Sequence, residues 1–176
     1  MNDQPTIMDM TCETTARAEF ARVHAYLHAE HDLDDQIITA TRRMLALGLS
    51  MRDALIAAAI RPDAVDADAM TGFALHAHEP HNATRLSELL TDAFENGTGY
   101  TSDVIDRLDA LMDAVAHTPT APSVQCLAVR AYLAWWRDDR QAAMPLALHA
   151  LDLDDSCTLA TIVLAALTRD VHPNTK

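Results

Sequence analysis

The amino-acid sequence predicts an all-α protein, an orthogonal or bundle-like array of about nine helices. Three observations carry that expectation. Apolar residues recur at helical spacing from residue 11 nearly to the end. Nowhere do β-branched and aromatic residues alternate with polar ones over enough positions to make a strand. Prolines, glycines and aspartates cut the periodic stretch into pieces of helix length.

The expected organisation is a flexible tail over residues 1–10, one helical domain over 11–170 and a C-terminal tail over 171–176. Within the domain, 11–118 reads as a helical array and 123–169 as a hairpin plus a final helix. At 176 residues the chain suits one domain that buries roughly 70% of the surface exposed on unfolding.

The first helix, near 11–31, carries Ala16, Phe20, Val23 and Leu27 on one stripe, with Thr11 as its N-cap. Asp32–Asp35 breaks it. The second, near 35–49, holds Ile38, Leu45 and Leu49. Ser50-Met51-Arg52-Asp53 resembles a capping box for the third, which ends at Arg61-Pro62, where Asp63 offers the next cap. The fourth carries Val65, Met70, Phe73 and Leu75. A loop over 76–82 precedes the fifth, with Leu86, Leu89, Leu90 and Phe94, which Gly97-Thr98-Gly99 stops.

Ser102 is the expected cap of the sixth helix, whose Val104, Ile105, Leu108, Leu111, Met112 and Val115 share one side. Asp106, Asp109 and Asp113 take the other, as a solvated acidic face. Beyond Pro119 and Pro122, residues 125–137 are apolar almost all round apart from Arg130, the mark of a central helix. Asp138-Asp139 turns the chain into an eighth helix near 140–153, with Pro145 expected in its first turns or at a kink. Asp154–Ser156 turns it again into an apolar last helix over 159–167.

Charge limits the partners. Thirteen basic against 26 acidic residues leave a net charge of −13, which repels nucleic-acid backbones and anionic membranes. Three cysteines, Cys12, Cys126 and Cys157, without a CxxC pair fit a reducing compartment, and Cys126 and Cys157 read as buried small residues. No stretch approaches the roughly 20 apolar residues of a membrane span, so a cytoplasmic location is expected.

Residues 127–155 resemble one tetratricopeptide unit: Ala131, the Asp138-Asp139 turn, Ala143, Ala147, Ala150-Leu151 and Leu153-Asp154. Arg130 and Ala134 stand where large apolar residues are usual, and Asp155 where proline closes the repeat. More widely, residues 45–173, with LALGLSMRDALI and CLAVRAYLAWWRDDRQAAMPLALHALDLDDSCTLATIVLAAL, are similar to the helical C-terminal portion of domain-of-unknown-function family 4192. The N-terminal motifs of that family have no counterpart here. The resemblance implies a free-standing or truncated version of the family and supplies no activity and no catalytic residue.

Two histidine groups have metal-ligand character. His24, His28 and His31 at i, i+4, i+7 place imidazoles along one helix side, where the alternative is a solvated flank beside the repelling Arg17. His76, His78 and His81 resemble in outline the histidine run of metallohydrolases, but no strand precedes them and a polar loop is the plainer reading. Neither a phosphate-binding glycine loop nor a GxSxG elbow is present.

Trp135-Trp136 reads either as an exposed recognition platform or as core with both indole N–H groups hydrogen-bonded. The expected function is therefore non-enzymatic: a helical interaction or scaffold module. Its candidate binding residues are Arg130, Tyr132, Trp135 and Trp136, its partner is another protein or itself, and no cofactor is implied. The alternatives are a metal-binding enzyme or sensor built on a histidine group and, more weakly, an acidic mimic of a nucleic-acid backbone.

Overall fold

Aspartates at chain turns set three of the helix starts. Asp34, Asp66 and Asp139 each accept a hydrogen bond from the backbone N–H three residues on, at 2.8, 2.8 and 2.9 Å. Each such cap satisfies a donor that the helix leaves open, worth about 1 kcal/mol. In the computed structural model, which describes residues 7–174, the helices are α1 (Ile7–Leu27), α2 (Asp35–Leu47), α3 (Leu49–Ile60), α4 (Ala67–Leu75), α5 (Pro80–Asn96), α6 (Ser102–Ala116), α7 (Ser123–Trp136), α8 (Arg140–Leu153) and α9 (Thr158–Thr168). No strand occurs among the described residues, so the all-α expectation is the observed fold.

Several local expectations are corrected. Helix α1 already runs at Ile7, which puts Thr11 inside it and shortens the expected N-terminal tail; residues 1–6, 175 and 176 lie outside the described residues. Gly48, not a Ser50 capping box, precedes α3: the Ser50 hydroxyl donates to Ala74 O at 2.7 Å, and Asp53 takes the Arg52 guanidinium. Asp66 replaces Asp63 as the α4 cap because Asp63 is bound by Arg61. Thr101 holds the N-cap position of α6, with Ser102 inside the helix. Pro145 is the sixth residue of α8, exposed, inside a helix that continues past it.

Two helices are buried on nearly every side. In α3, Met51, Arg52 and every residue from Ala54 to Ile60 are buried; in α7, so are Cys126, Ala128, Val129, Ala131 and Leu133–Trp136. The other helices pack around this pair, α4, α5, α6 and α2 against α3, and α8, α6 and α9 against α7, while α3 and α7 also touch. Ala131 and Ala134 on α7 and Ala143, Ala147 and Ala150 on α8 are fully buried, and their small side chains allow the tightest helix pairing in the molecule. One apolar core runs through the chain from Phe20 to Leu167.

Two arginines enter this interior with their partners. Arg61, buried at the end of α3, makes a two-pronged pair with Asp63 (2.9 and 2.9 Å) and reaches Asp92 on α5 at 3.1 Å. Asp63 is held below the usual carboxylate range, first by that hydrogen-bonded pairing. Gly99 closes over the pair with φ +73°, and a Cβ there would collide with the Asp63 carboxylate and crowd Arg61 Nε. Gly99→Ala combines left-handed strain with this clash, so we expect a loss of about 1–3 kcal/mol in chemical denaturation, with native helicity retained in water.

Candidate functional site

The aromatic residues singled out in the sequence meet at the C-terminal end of α7, but as interior. Trp135 is 6% and Trp136 1% exposed, which removes the exposed-platform reading. Phe94 at the end of α5 stacks on Trp135, their centroids 5.9 Å apart, Tyr100 stacks on Trp136 at 6.3 Å, and half-buried Tyr132 lies 5.3 Å from Trp135. Burial raises the Tyr132 hydroxyl above its ordinary pKa, with the Trp136 N–H opposing and Asp53 adding to the shift. The Trp135 indole donates to Val171 O at 2.9 Å. Trp136 Nε1 is buried and feels the Tyr132 hydroxyl without an aligned hydrogen bond, so only one of the two indoles is satisfied as expected.

Phe94 and Tyr100 were not among the sequence candidates, although both end segments that glycines interrupt. Residues 171–174, expected as a tail, lie on this cluster. Pro173 is buried, Asn174 N–H donates to Phe94 O at 2.8 Å and Asn174 Nδ2 to Glu95 O at 3.1 Å. His172 places Nδ1 2.9 Å from Asp138 and Nε2 3.1 Å from Asp170.

Arg130 is engaged within the fold. It binds Asp109 at 3.0 Å and Asp113 more closely still, while Arg137, two turns on, binds Asp106 at 2.6 Å and Asp109 at 3.6 Å. The acidic face of α6 is therefore a ladder to α7 rather than a free solvated face. Sequence spacing shows a stripe of acids; it does not show that α7 brings its arginines alongside.

Neither histidine group converges. Helix α1 ends at Leu27 and Ala29 takes φ +62°, so His31 leaves the helical register of His24 and His28. His24 and His28 stack at 4.2 Å, and His24 lies below its ordinary pKa, first through burial and then through His28. Arg17, expected to repel a metal there, is paired with Glu13 and Asp68. In the second group Pro80 begins α5, which makes His81 and Asn82 helical instead of loop. His78 and His81 are exposed and His76 faces Glu79 at 3.4 Å. Among the described residues no three His, Cys, Asp or Glu side chains gather as a metal site.

A cleft of about 510 Å³ opens between the end of α1 and the start of α6, lined by His28, Thr101, Asp103, Asp106 and Arg107 among others. Arg107 is already committed to Tyr26, donating to its carbonyl at 3.3 Å and lying over its ring. The cleft thus mixes both charge signs.

The described surface carries few large apolar side chains. Leu47 and Leu49 are exposed on either side of Gly48, Ile162 on α9, and Met144, Leu148 and Leu153 on α8, where half-buried Leu151 completes an i, i+4, i+7 stripe with Met144 and Leu148. This stripe is separate from the Ala143–Ala147–Ala150 side that packs inward, and it was not read from the sequence because both sides of α8 are apolar.

Comparison with protein-family models, with curated proteins and with solved structures finds nothing that matches the chain. None of the helices among the described residues is long and apolar enough to cross a membrane.

Two outcomes follow from this geometry. A double-mutant cycle of Arg130→Ala and Asp109→Ala, whose side chains are both about three-quarters covered, should show a coupling of about 0.5–1.5 kcal/mol that shrinks with added salt. Burial pushes the Cys126 thiol up to about 11 despite nearby Arg130. An unfolded thiol ionises near its ordinary value of 9.0, so this contribution to stability is present below that pH and falls as pH rises from 9 toward 11. At pH 8, labelling of Cys126 in native protein, located by peptide mapping, should proceed only as fast as the chain opens.

Proposed function

We propose that the protein is a non-enzymatic helical interaction module that docks another protein, or a second copy of itself, through the outer stripe of α8. The observation that carries this reading is the stripe of exposed Met144 and Leu148 with half-buried Leu151, Leu148 being 49% exposed in a chain of net charge −13. An i, i+4, i+7 apolar line is the form in which one helix meets another, and this one is flanked by uncharged Gln141 and Pro145 and bounded at its two ends by Arg140 and Asp152.

The resemblance of residues 127–155 to a tetratricopeptide unit favours the same reading by analogy alone, since such hairpins expose one helix face to partners. The acidic-mimic alternative loses its main support, because the α6 carboxylates are occupied by Arg130 and Arg137. The histidine-based alternative has no convergent group among the described residues to favour it.

Leu148→Glu should leave helicity and thermal stability within ordinary surface limits, about ±0.5 kcal/mol. It should abolish association, whether this is concentration-dependent dimerisation in sedimentation velocity or a cross-link to a partner from a photoreactive group at position 144. Wild-type protein that stays monomeric and cross-links to nothing, or a Leu148→Glu variant that associates as wild type does, would contradict the proposal.

A further inference from the structure

Residues 170–174 cover the aromatic cluster without belonging to any helix. Asp170, with φ +55°, turns the chain out of α9, and from there the segment runs over the end of α7 to the end of α5. Its attachments are those of a bound peptide. Val171 offers a carbonyl to the Trp135 indole, Pro173 is buried, and Asn174 gives its backbone N–H to Phe94 O and its side-chain amide to Glu95 O. Between the carbonyl and the proline, His172 meets Asp138.

We propose that residues 170–174 are a detachable strap, and that the slot beneath, formed by Phe94 and Trp135 and flanked by Asp138, is a recognition site for an extended segment of another protein carrying a cationic residue immediately before a proline. Three features of the slot define that occupant. The indole N–H of Trp135 is buried and needs an acceptor, which an extended backbone supplies. Pro173 is buried between Val171, bonded to Trp135, and Asn174, bonded to Phe94 O, and a proline at that position carries a fixed φ that lowers the ordering cost of an extended ligand. Asp138, 69% exposed at its side chain and held in a left-handed turn at φ +58°, favours a cation beside that proline.

The strap fills these positions from within the chain, and few bonds hold it. Apart from Asp138, the charged groups recorded around His172 are Asp170 on the strap itself and Arg140 of α8, which lies 3.8 Å from Asp170. Opening the strap breaks these hydrogen bonds and ion pairs and uncovers Pro173 and Trp135, while the alanine interface of α7 and α8 stays packed. The opened state exposes Trp135, one of only two tryptophans in the chain, so it reports itself.

The test uses a chain ending at Arg169 and a synthetic peptide with the sequence of residues 169–176. The shortened chain should keep its helicity by circular dichroism and show red-shifted tryptophan emission. The peptide should reverse that shift saturably, and full-length protein should not respond to it at the same concentration. A Pro173→Gly peptide should bind at least tenfold more weakly, and a His172→Ala peptide about threefold more weakly. A folded shortened chain with unshifted emission, or one that ignores the peptide, would overturn the proposal.

If the shortened chain does not fold, full-length His172→Ala/Asn174→Ala, in which the strap is loosened, replaces it. That variant should respond to the wild-type peptide where native protein does not, and a lack of response would overturn the proposal equally. Adding Leu148→Glu to either chain should leave the peptide response unchanged, which separates this slot from the α8 stripe.

Discussion

The burial of α7 is the constraint on which the rest of the structure depends. A helix apolar on nearly every side has no face to give to water, so it must be enclosed by α6, α8, α9 and α3 together. Magnitudes show why this term governs the arrangement. Two buried tryptophans remove about 150–250 Å² each from water, roughly 4–6 kcal/mol apiece as an upper bound at 25 cal/mol/Å². A half-exposed ion pair such as Arg137 with Asp106 contributes at most about 1 kcal/mol. Apolar burial places the helices, and the charge ladder then fixes the register of α6 against α7.

The acidic balance is also a structural device. Arg17, Arg43, Arg52, Arg61, Arg130, Arg137 and Arg140 all pair with carboxylates inside the chain. Most of the cationic residues thus act as internal ties, which leaves an outer surface dominated by unpaired acids. Such a surface repels further copies and anionic partners alike, and the apolar stripe on α8, bounded by Arg140 and Asp152, interrupts it.

The legible part of the sequence was whatever periodicity and punctuation encode. The nine helices among the described residues, the central position of α7, the Asp138-Asp139 turn and the burial of Cys126 and Cys157 all follow from spacing and residue type. The illegible part was pairing across the chain. Asp63 looks like a cap until Arg61 claims it, and Asp109 looks solvated until α7 lies beside it. The histidine spacing on α1 was correct as arithmetic but failed as geometry, because the helix ends one turn too early to carry His31. Residues 171–174 contain no periodic signal at all, so only the fold shows that they cover Phe94 and Trp135.

Native-state hydrogen exchange resolved by residue tests most directly whether α7 organises the fold. Amides within Ala128–Trp136 should open only with global unfolding, so that their exchange free energies equal the stability measured by denaturant, with α3 close behind and the ends of α1 and the strap far lower. Exchange in α7 through local openings well below the global value, while the peripheral helices remain protected, would contradict this account.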